Sequence, residues 1–148
     1  MSWLLLLPIA LAAGVAVPTQ FAINTQLQDV VGGPVLAAAL SFLVGTVALF
    51  ATTAVLRRSV PELAPIAGAP WWMWTGGLLG AFVVCASVVL TPRLGAATTI
   101  GVFLTGQVVA SIVIDHFGLL GVPVQSAGLA RIGGALLIVV GVVIVQRF

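Results

Sequence analysis

Charged side chains are scarce in this sequence, and lysine is absent. Its 148 residues include five arginines, three acidic residues and one histidine. So few charges cannot form the polar shell of a water-soluble domain of this size. They also exclude the basic surface that nucleic-acid binding requires, so we expect no nucleic-acid partner.

Residues that carry catalytic or metal chemistry are equally scarce. Cys85 is the single cysteine, which excludes an intrachain disulfide and a metal site built from paired cysteines. The sequence has no plausible Ser/His/Asp set, no metal-ligand spacing around its one histidine and no glycine-rich phosphate loop. It therefore predicts neither an enzyme nor a bound cofactor or metal.

Apolar residues make up most of the chain, at 61% of the sequence with a mean hydropathy of +1.32. A helix needs about 20 apolar residues to cross a bilayer, so interruptions by Pro, Gly and charge can be used to count crossings. The expected spans cover about residues 3–28, 35–56, 71–90, 96–117 and 129–145. We therefore predict an all-α integral membrane protein, with residues 1–148 forming one transmembrane domain of five helices. The first span should be retained rather than cleaved, because no basic region precedes it.

Five spans place the two ends of the chain on opposite sides of the bilayer. All four tryptophans then fall on the N-terminal side, as expected for indoles at a headgroup boundary: Trp3, Trp71, Trp72 and Trp74. The arginines divide almost evenly, with Arg57, Arg58 and Arg131 on the N-terminal side and Arg93 and Arg147 on the other. Because a Lys/Arg excess normally sets orientation, so weak a bias predicts insertion in both orientations. If Arg93 is instead a functional residue, the remaining count is three against one, which favours a single orientation.

Polar side chains interrupt the first span in the stretch VPTQFAINTQLQ, residues 17–28. Pro18 cannot bond the carbonyl four residues earlier, so we expect a bend there. Gln20, Asn24 and Gln28 recur every four residues and share one helical face. Such amides line transport pathways, or they only hydrogen-bond neighbouring helices and hold the bundle together.

The fourth span carries a second polar stripe, formed by Gln107, Ser111 and Asp115. Polar groups are costly to expose to lipid, so we expect a cavity between the first and fourth helices, with Gln20, Asn24, Gln107 and Ser111 binding substrate. Asp115 is a candidate proton carrier, or else an ordinary solvated helix end.

Arg93 follows the third span, in the sequence TPRLG. It is a candidate anion contact or gate, or a cation that extends to the membrane surface.

Small residues recur at helical spacing in several spans and predict close packing between helices. The second span has Ala37, Ser41 and Gly45, and the third has the pair Gly76 and Gly80. A similar glycine-containing stripe in the fifth span suggests packing between two copies of the chain.

The strings TPRLGAATTIGVFLTGQVVASIVIDHFGLLGVP and RIGGALLIVVGVVIVQR resemble the half-sized YdcZ-type family of the drug/metabolite transporter superfamily. FAINTQL, ALSFLVGTVAL and PWWMWTGGLLGAF extend the resemblance over nearly the whole chain. It implies a multi-pass protein of the bacterial inner membrane that equals one half of a ten-helix inverted-repeat bundle. Such a unit is expected to pair antiparallel with itself or with an oppositely oriented sister chain.

One departure from related proteins concerns the substrate. Small multidrug-resistance relatives carry a glutamate in the first membrane helix, whereas the expected first span here contains amides and no carboxylate. This departure argues against export of polyaromatic cations by that mechanism and leaves neutral and anionic substrates open. Our leading hypothesis is a transporter that moves a small polar solute by alternating access at an antiparallel dimer interface. A passive narrow channel and a non-transporting membrane subunit are the alternatives.

Overall fold

The computed structural model describes residues 6–56 and 68–147, and every regular element in these ranges is helical. The transmembrane-type helices are α1 (Leu7–Val31), α2 (Pro34–Val55), α3 (Thr75–Leu94), α4 (Ala96–Phe117) and α5 (Leu129–Arg147). A short 3₁₀ turn, Trp71–Trp74, leads into α3, and another, Leu119–Gly121, follows α4. All five long helices are apolar and long enough to cross a membrane. The prediction of an all-α, five-helix membrane protein is confirmed.

The connection between α1 and α2 is a tight glycine turn. The amides of Gly32 and Gly33 both donate to the carbonyl of Gln28, at 2.9 and 3.0 Å. Gly32 has a φ of 87°, a left-handed conformation that glycine adopts without a steric penalty. Pro34 then begins α2, where its missing amide proton is not needed. These bonds carry α1 to Val31, beyond the expected end at Gln28, while the expected start at Trp3 lies outside the described residues.

The third helix is longer than expected. We expected it to end at Leu90, before Pro92, but α3 continues through Pro92 to Leu94. A proline removes one backbone hydrogen bond, and in the last turn of an apolar helix that loss does not end the helix. The helix ends at Leu94, and the next residue, Gly95, has a φ of 82°.

The chain divides into two compact units, residues 1–92 and 93–148. In the first unit, Ala38 of α2 packs with Val84 and Val88 of α3, and Cys85 lies against this cluster. The ring of Phe42 covers Gly80, since a Cβ on Gly80 would lie 3.2 Å from the Phe42 Cζ atom. A small residue at Gly80 therefore allows this close approach, whereas a Cβ there would require the Phe42 ring to shift by a few tenths of an ångström.

The second unit is built around the contact between α4 and α5. Gly101 of α4 lies against Val142 of α5, and a Cβ at Gly101 would approach both Val142 methyl carbons to 3.0 Å. Thr99 is almost fully buried, and its hydroxyl donates to the carbonyl of Gly95. In contrast, α5 buries none of its described side chains. Lipid or another protein surface must therefore cover much of this helix.

Candidate functional site

The polar side chains of α1 fall into two chemical groups. Thr19 and Thr25 donate their hydroxyl protons to the carbonyls of Val15 and Phe21, each at 2.9 Å. Such bonds satisfy a hydroxyl within its own helix, even in lipid. A carboxamide has two N–H donors and an acceptor, and it needs partners outside its own turn. The carboxamides of α1, which include Gln20 and Asn24, are therefore the groups that demand an external partner.

Asn24 is buried in the first unit, with 2% of its surface exposed. Its Nδ2 atom has no hydrogen-bond partner among the described residues. Leaving a buried donor unpaired costs about 1–3 kcal/mol. Asn24 is therefore not acting as a simple hydrogen-bonded tie between helices in this arrangement.

Gln20 lies one turn before Asn24 but is exposed. It faces a groove of about 230 Å³ whose other wall is α2. The α2 residues that line this groove are Ser41, Phe42, Gly45, Thr46 and Leu49. Ala37, the first member of the small-residue stripe, is fully buried. The stripe thus packs at one end and lines an open, partly polar groove at the other.

The polar stripe of α4 belongs to the second unit. Gln107 and Ser111 are both exposed, and the Ser111 hydroxyl donates to the carbonyl of Val108 at 3.0 Å. Gln107 is therefore the side chain of this pair that needs an external partner. Gln20 and Asn24 belong to the other unit. The expected cavity between the first and fourth helices remains a prediction.

Asp115 forms an ion pair at the end of α4. Its Oδ2 atom lies 2.5 Å from Nη2 of Arg131, and the two side chains are 21% and 36% exposed, respectively. Nη1 of Arg131 donates to the carbonyl of Gln125 at 3.1 Å, while the Gln125 amide donates to the carbonyl of Asp115 at 2.8 Å. These three residues form a closed ring, which we call the Asp115 latch. It ties the connecting segment to both α4 and α5.

His116 fastens the same connection at a second point. The amide of Ala127 donates to its Nδ1 atom at 3.1 Å, so the neutral ring carries its proton on Nε2. The segment itself turns sharply, with Gly118 at a φ of 60° and Leu120 at 57°. Val124 packs so closely on Gly118 that a Cβ there would lie 2.7 Å from its Cγ2 atom.

Sequence reasoning did not identify Arg131, Gln125 and Ala127 as partners of the α4 terminus. The opposite charges of Asp115 and Arg131 fall on the same predicted side of the membrane, which was the available signal. The backbone bonds of Gln125 and Ala127 depend on the folding of the loop and have no sequence signature.

Arg93 and Pro18 occupy simpler positions. Arg93 is exposed in the last turn of α3, where a cation interacts favourably with the helix dipole. Pro18 lies inside α1, which continues on both sides of it. The bend expected at Pro18 and the gating role of Arg93 both remain predictions.

Metal coordination finds no support in the described ranges. Across residues 6–56 and 68–147, no three His, Cys, Asp or Glu side chains come together as a set that could hold a metal ion.

Comparisons with known proteins give a consistent result. The profile of the family described as "Putative inner membrane exporter, YdcZ" matches residues 5–144. "Inner membrane protein YdcZ" of Escherichia coli (strain K12) is 32% identical over 144 residues, covering 97% of this chain and 95% of that protein. No solved structure gives a significant match.

Proposed function

Because this chain belongs to the YdcZ-type family of the drug/metabolite transporter superfamily, we propose that it moves a small polar solute by alternating access. The family description names an inner membrane exporter, which points to a transporter rather than an enzyme and to the inner membrane as its location. In this proposal two chains pair in opposite orientations, and the solute crosses at their interface. The second chain is an identical copy or an oppositely oriented sister chain.

The groove beside Gln20 is the observation that best supports this proposal. Gln20 lies near the middle of α1, a helix of 25 residues that is long enough to span the bilayer. An exposed carboxamide at that depth is costly against acyl chains, so it must face protein, water or solute. Ser41 and Gly45 leave room for a group to approach Gln20 across the groove. A second chain placed over the groove would shelter the amide and enclose a polar passage.

The remaining polar residues have distinct roles in the proposal. The proposed solute-binding residues are Gln20, Asn24, Gln107 and Ser111. Arg93 attracts anionic groups or gates the pathway where α3 ends. Asp115 is the candidate coupling group, although its ion pair with Arg131 means that proton transfer would require the Asp115 latch to open. Pro18 supplies the bend that allows α1 to rock.

The experiment measures solute flux in proteoliposomes that contain the purified chain. Radiolabelled uncharged, anionic and cationic solutes of similar size are compared for saturable uptake. We expect Gln20→Leu to reduce saturable flux at least tenfold. The matched control is Thr19→Val, because the Thr19 hydroxyl is already satisfied by its own helix. Equal flux in wild type and Gln20→Leu would contradict the assignment of the groove, and flux without saturation would indicate a channel.

Pairing is tested separately, in a Cys85→Ser background that carries one new cysteine at Gly45. If two copies cover the groove, Gly45→Cys should give a crosslinked dimer in native membranes. Leu129→Cys places a thiol at a position where the native side chain is 89% exposed. It is the control for crosslinking by random collision. Absence of flux for every solute, together with a stable complex with another protein, would favour a non-transporting subunit.

A further inference from the structure

Two buried polar atoms of the first unit lack a hydrogen-bond partner among the described residues. They are Nδ2 of Asn24 on α1 and Oγ1 of Thr91 on α3. Other threonine hydroxyls in the helices, such as those of Thr25 and Thr99, donate to carbonyls of their own helix. Thr91 makes no such bond although its hydroxyl is enclosed. Both atoms therefore keep their full hydrogen-bonding capacity inside the unit.

Counted from the ends of their helices, the two residues differ in depth by about one helical turn. In a five-span chain α1 and α3 run in the same direction, and Asn24 and Ser87 each precede the last residue of their helix by seven positions. Thr91 lies one turn beyond Ser87, which is about 6 Å along the helix axis. Ser87 is fully buried, and its hydroxyl is satisfied by the carbonyl of Val84. Within about one helical turn of this level, Asn24 and Thr91 are thus the buried polar groups that can accept a new partner.

The charged side chains of these helices are exposed, whereas Asn24 is buried. In the described parts of α1, α2 and α3, the charged side chains are Asp29, near the end of α1, and Arg93, in the last turn of α3. A charged solute beside Asn24 would therefore be desolvated without a counter-charge, at a prohibitive cost. An uncharged group with a hydrogen-bond acceptor would instead satisfy the free N–H donor.

We propose that Asn24 and Thr91 form a binding site for an uncharged solute that carries a carbonyl or hydroxyl oxygen. Asn24 Nδ2 donates to the solute oxygen, and Thr91 Oγ1 exchanges a second hydrogen bond with it. This inference rests on the proposed transport function and names the class of its substrate. In the arrangement described here the site is shut, because Asn24 is 2% exposed. The unpaired donor makes the shut packing less favourable, and solute binding in an open form removes that penalty.

Cys85 provides a native reporter of opening. It packs against the buried cluster of Ala38, Val84 and Val88, on the same helix as Thr91. Maleimide reacts with a hydrated thiolate, so labelling of Cys85 should require water to enter this packing. Asn24→Leu removes the unpaired donor without a large change in volume and should favour the shut packing. We expect its unfolding midpoint to rise by roughly 3–10 °C and Cys85 labelling to slow at least fivefold.

Two further variants keep the test decisive. Thr91→Val is nearly isosteric and should change both measurements in the same direction. Thr25→Val is the matched control, because the Thr25 hydroxyl is satisfied within α1. If Asn24→Leu fails to fold, Thr91→Val alone decides this part of the test. Lower stability with faster labelling in the Asn24 and Thr91 variants would show that these groups only hold helices together, and would overturn the inference.

The solute class is tested with three small probes of nearly the same shape: acetamide, acetate and acetamidinium. At equal high concentration, acetamide should change the Cys85 labelling rate of the wild-type protein at least twofold, whereas the two ions should not. The acetamide effect should be lost in Asn24→Leu and retained in Thr25→Val. An equal response to all three probes, or no response to acetamide, would overturn the assignment of an uncharged solute.

The outcomes for this site and for transport can be separated. Saturable flux that depends on Gln20 but not on Asn24 would leave the proposed transport function intact and refute the Asn24 site. An acetamide effect that requires Asn24, in a protein without flux for any solute, would support a binding site and refute transport.

Discussion

The Asp115 latch makes a quantitative prediction about the connection between α4 and α5. Replacing Arg131 with Gln removes the ion pair to Asp115 and the donor to the Gln125 carbonyl. Both side chains of the pair are partly exposed, at 36% and 21%, so solvent screening limits the pair itself to about 0.5–1 kcal/mol. The hydrogen bond to Gln125 adds about 1 kcal/mol. We expect Arg131→Gln to destabilise this connection by about 1.5–2 kcal/mol.

Hydrogen exchange measures this change at the place where it should occur. The amide of Gln125 is bonded to the carbonyl of Asp115, so its exchange rate reports local opening of the latch. A loss of 1.5–2 kcal/mol corresponds to exchange that is about 10- to 30-fold faster. Arg147→Gln is the control, because Arg147 is an exposed cation in the last turn of the same helix. Unchanged exchange at Gln125 in Arg131→Gln would refute the reasoning.

A double-mutant cycle separates the ion pair from the other bond. Asp115→Asn should accelerate exchange less than Arg131→Gln, because Arg131 keeps its bond to the Gln125 carbonyl. The coupling energy between the two substitutions should be about 0.5–1 kcal/mol. If the two effects simply add, the contact between these side chains contributes nothing to the latch.

Asp115→Asn also tests the coupling role. If Asp115 carries protons, flux driven by a pH gradient should be lost while solute exchange at equal pH continues. If Asp115 only fastens the connection, both activities should remain.

Two other predictions concern packing and the second fastening point of the connection. In a thermal unfolding assay, Gly101→Ala should destabilise the second unit by about 1 kcal/mol, because the new methyl group meets Val142 at 3.0 Å. Gly106 has open space around it, so in the same assay Gly106→Ala should be neutral or stabilising by up to about 1 kcal/mol. His116→Leu should accelerate exchange of the Ala127 amide about fivefold, whereas His116→Asn, which retains an acceptor, should have a smaller effect. Exchange in His116→Leu that is unchanged from wild type would show that the imidazole nitrogen does not hold this amide.

Sequence reasoning predicted the helices well because long apolar runs leave few alternatives in a bilayer. It placed the end of α3 too early, since a proline in a final turn removes a single hydrogen bond and the surrounding chain decides whether the helix continues. Gly95, with a φ of 82°, is the residue that ends α3. At this helix end, the glycine with a left-handed φ therefore marks the end of the helix, and the proline does not.

The candidate site was harder to predict than the helices. Gln20 and Asn24 have the same chemistry and lie one turn apart on α1, yet one lines an open groove and the other is 2% exposed. Spacing on a helix shows that two residues share a face, but it does not show which neighbouring helix covers each of them. The difference arises from tertiary packing, which involves residues far away in the sequence.

The exposed side chains of the helices indicate which surfaces need a protein partner and which need only lipid. The α5 helix buries no described side chain, and Leu129, Leu136 and Leu137 are all at least 60% exposed. Apolar exposure alone is satisfied by lipid, so it does not require a partner. Gln20 is different, because lipid cannot replace the hydrogen bonds that a mid-span carboxamide makes with water. Any state in which Gln20 faces acyl chains is therefore disfavoured, and a pairing surface for a second chain should include the groove beside Gln20 before it includes the apolar faces.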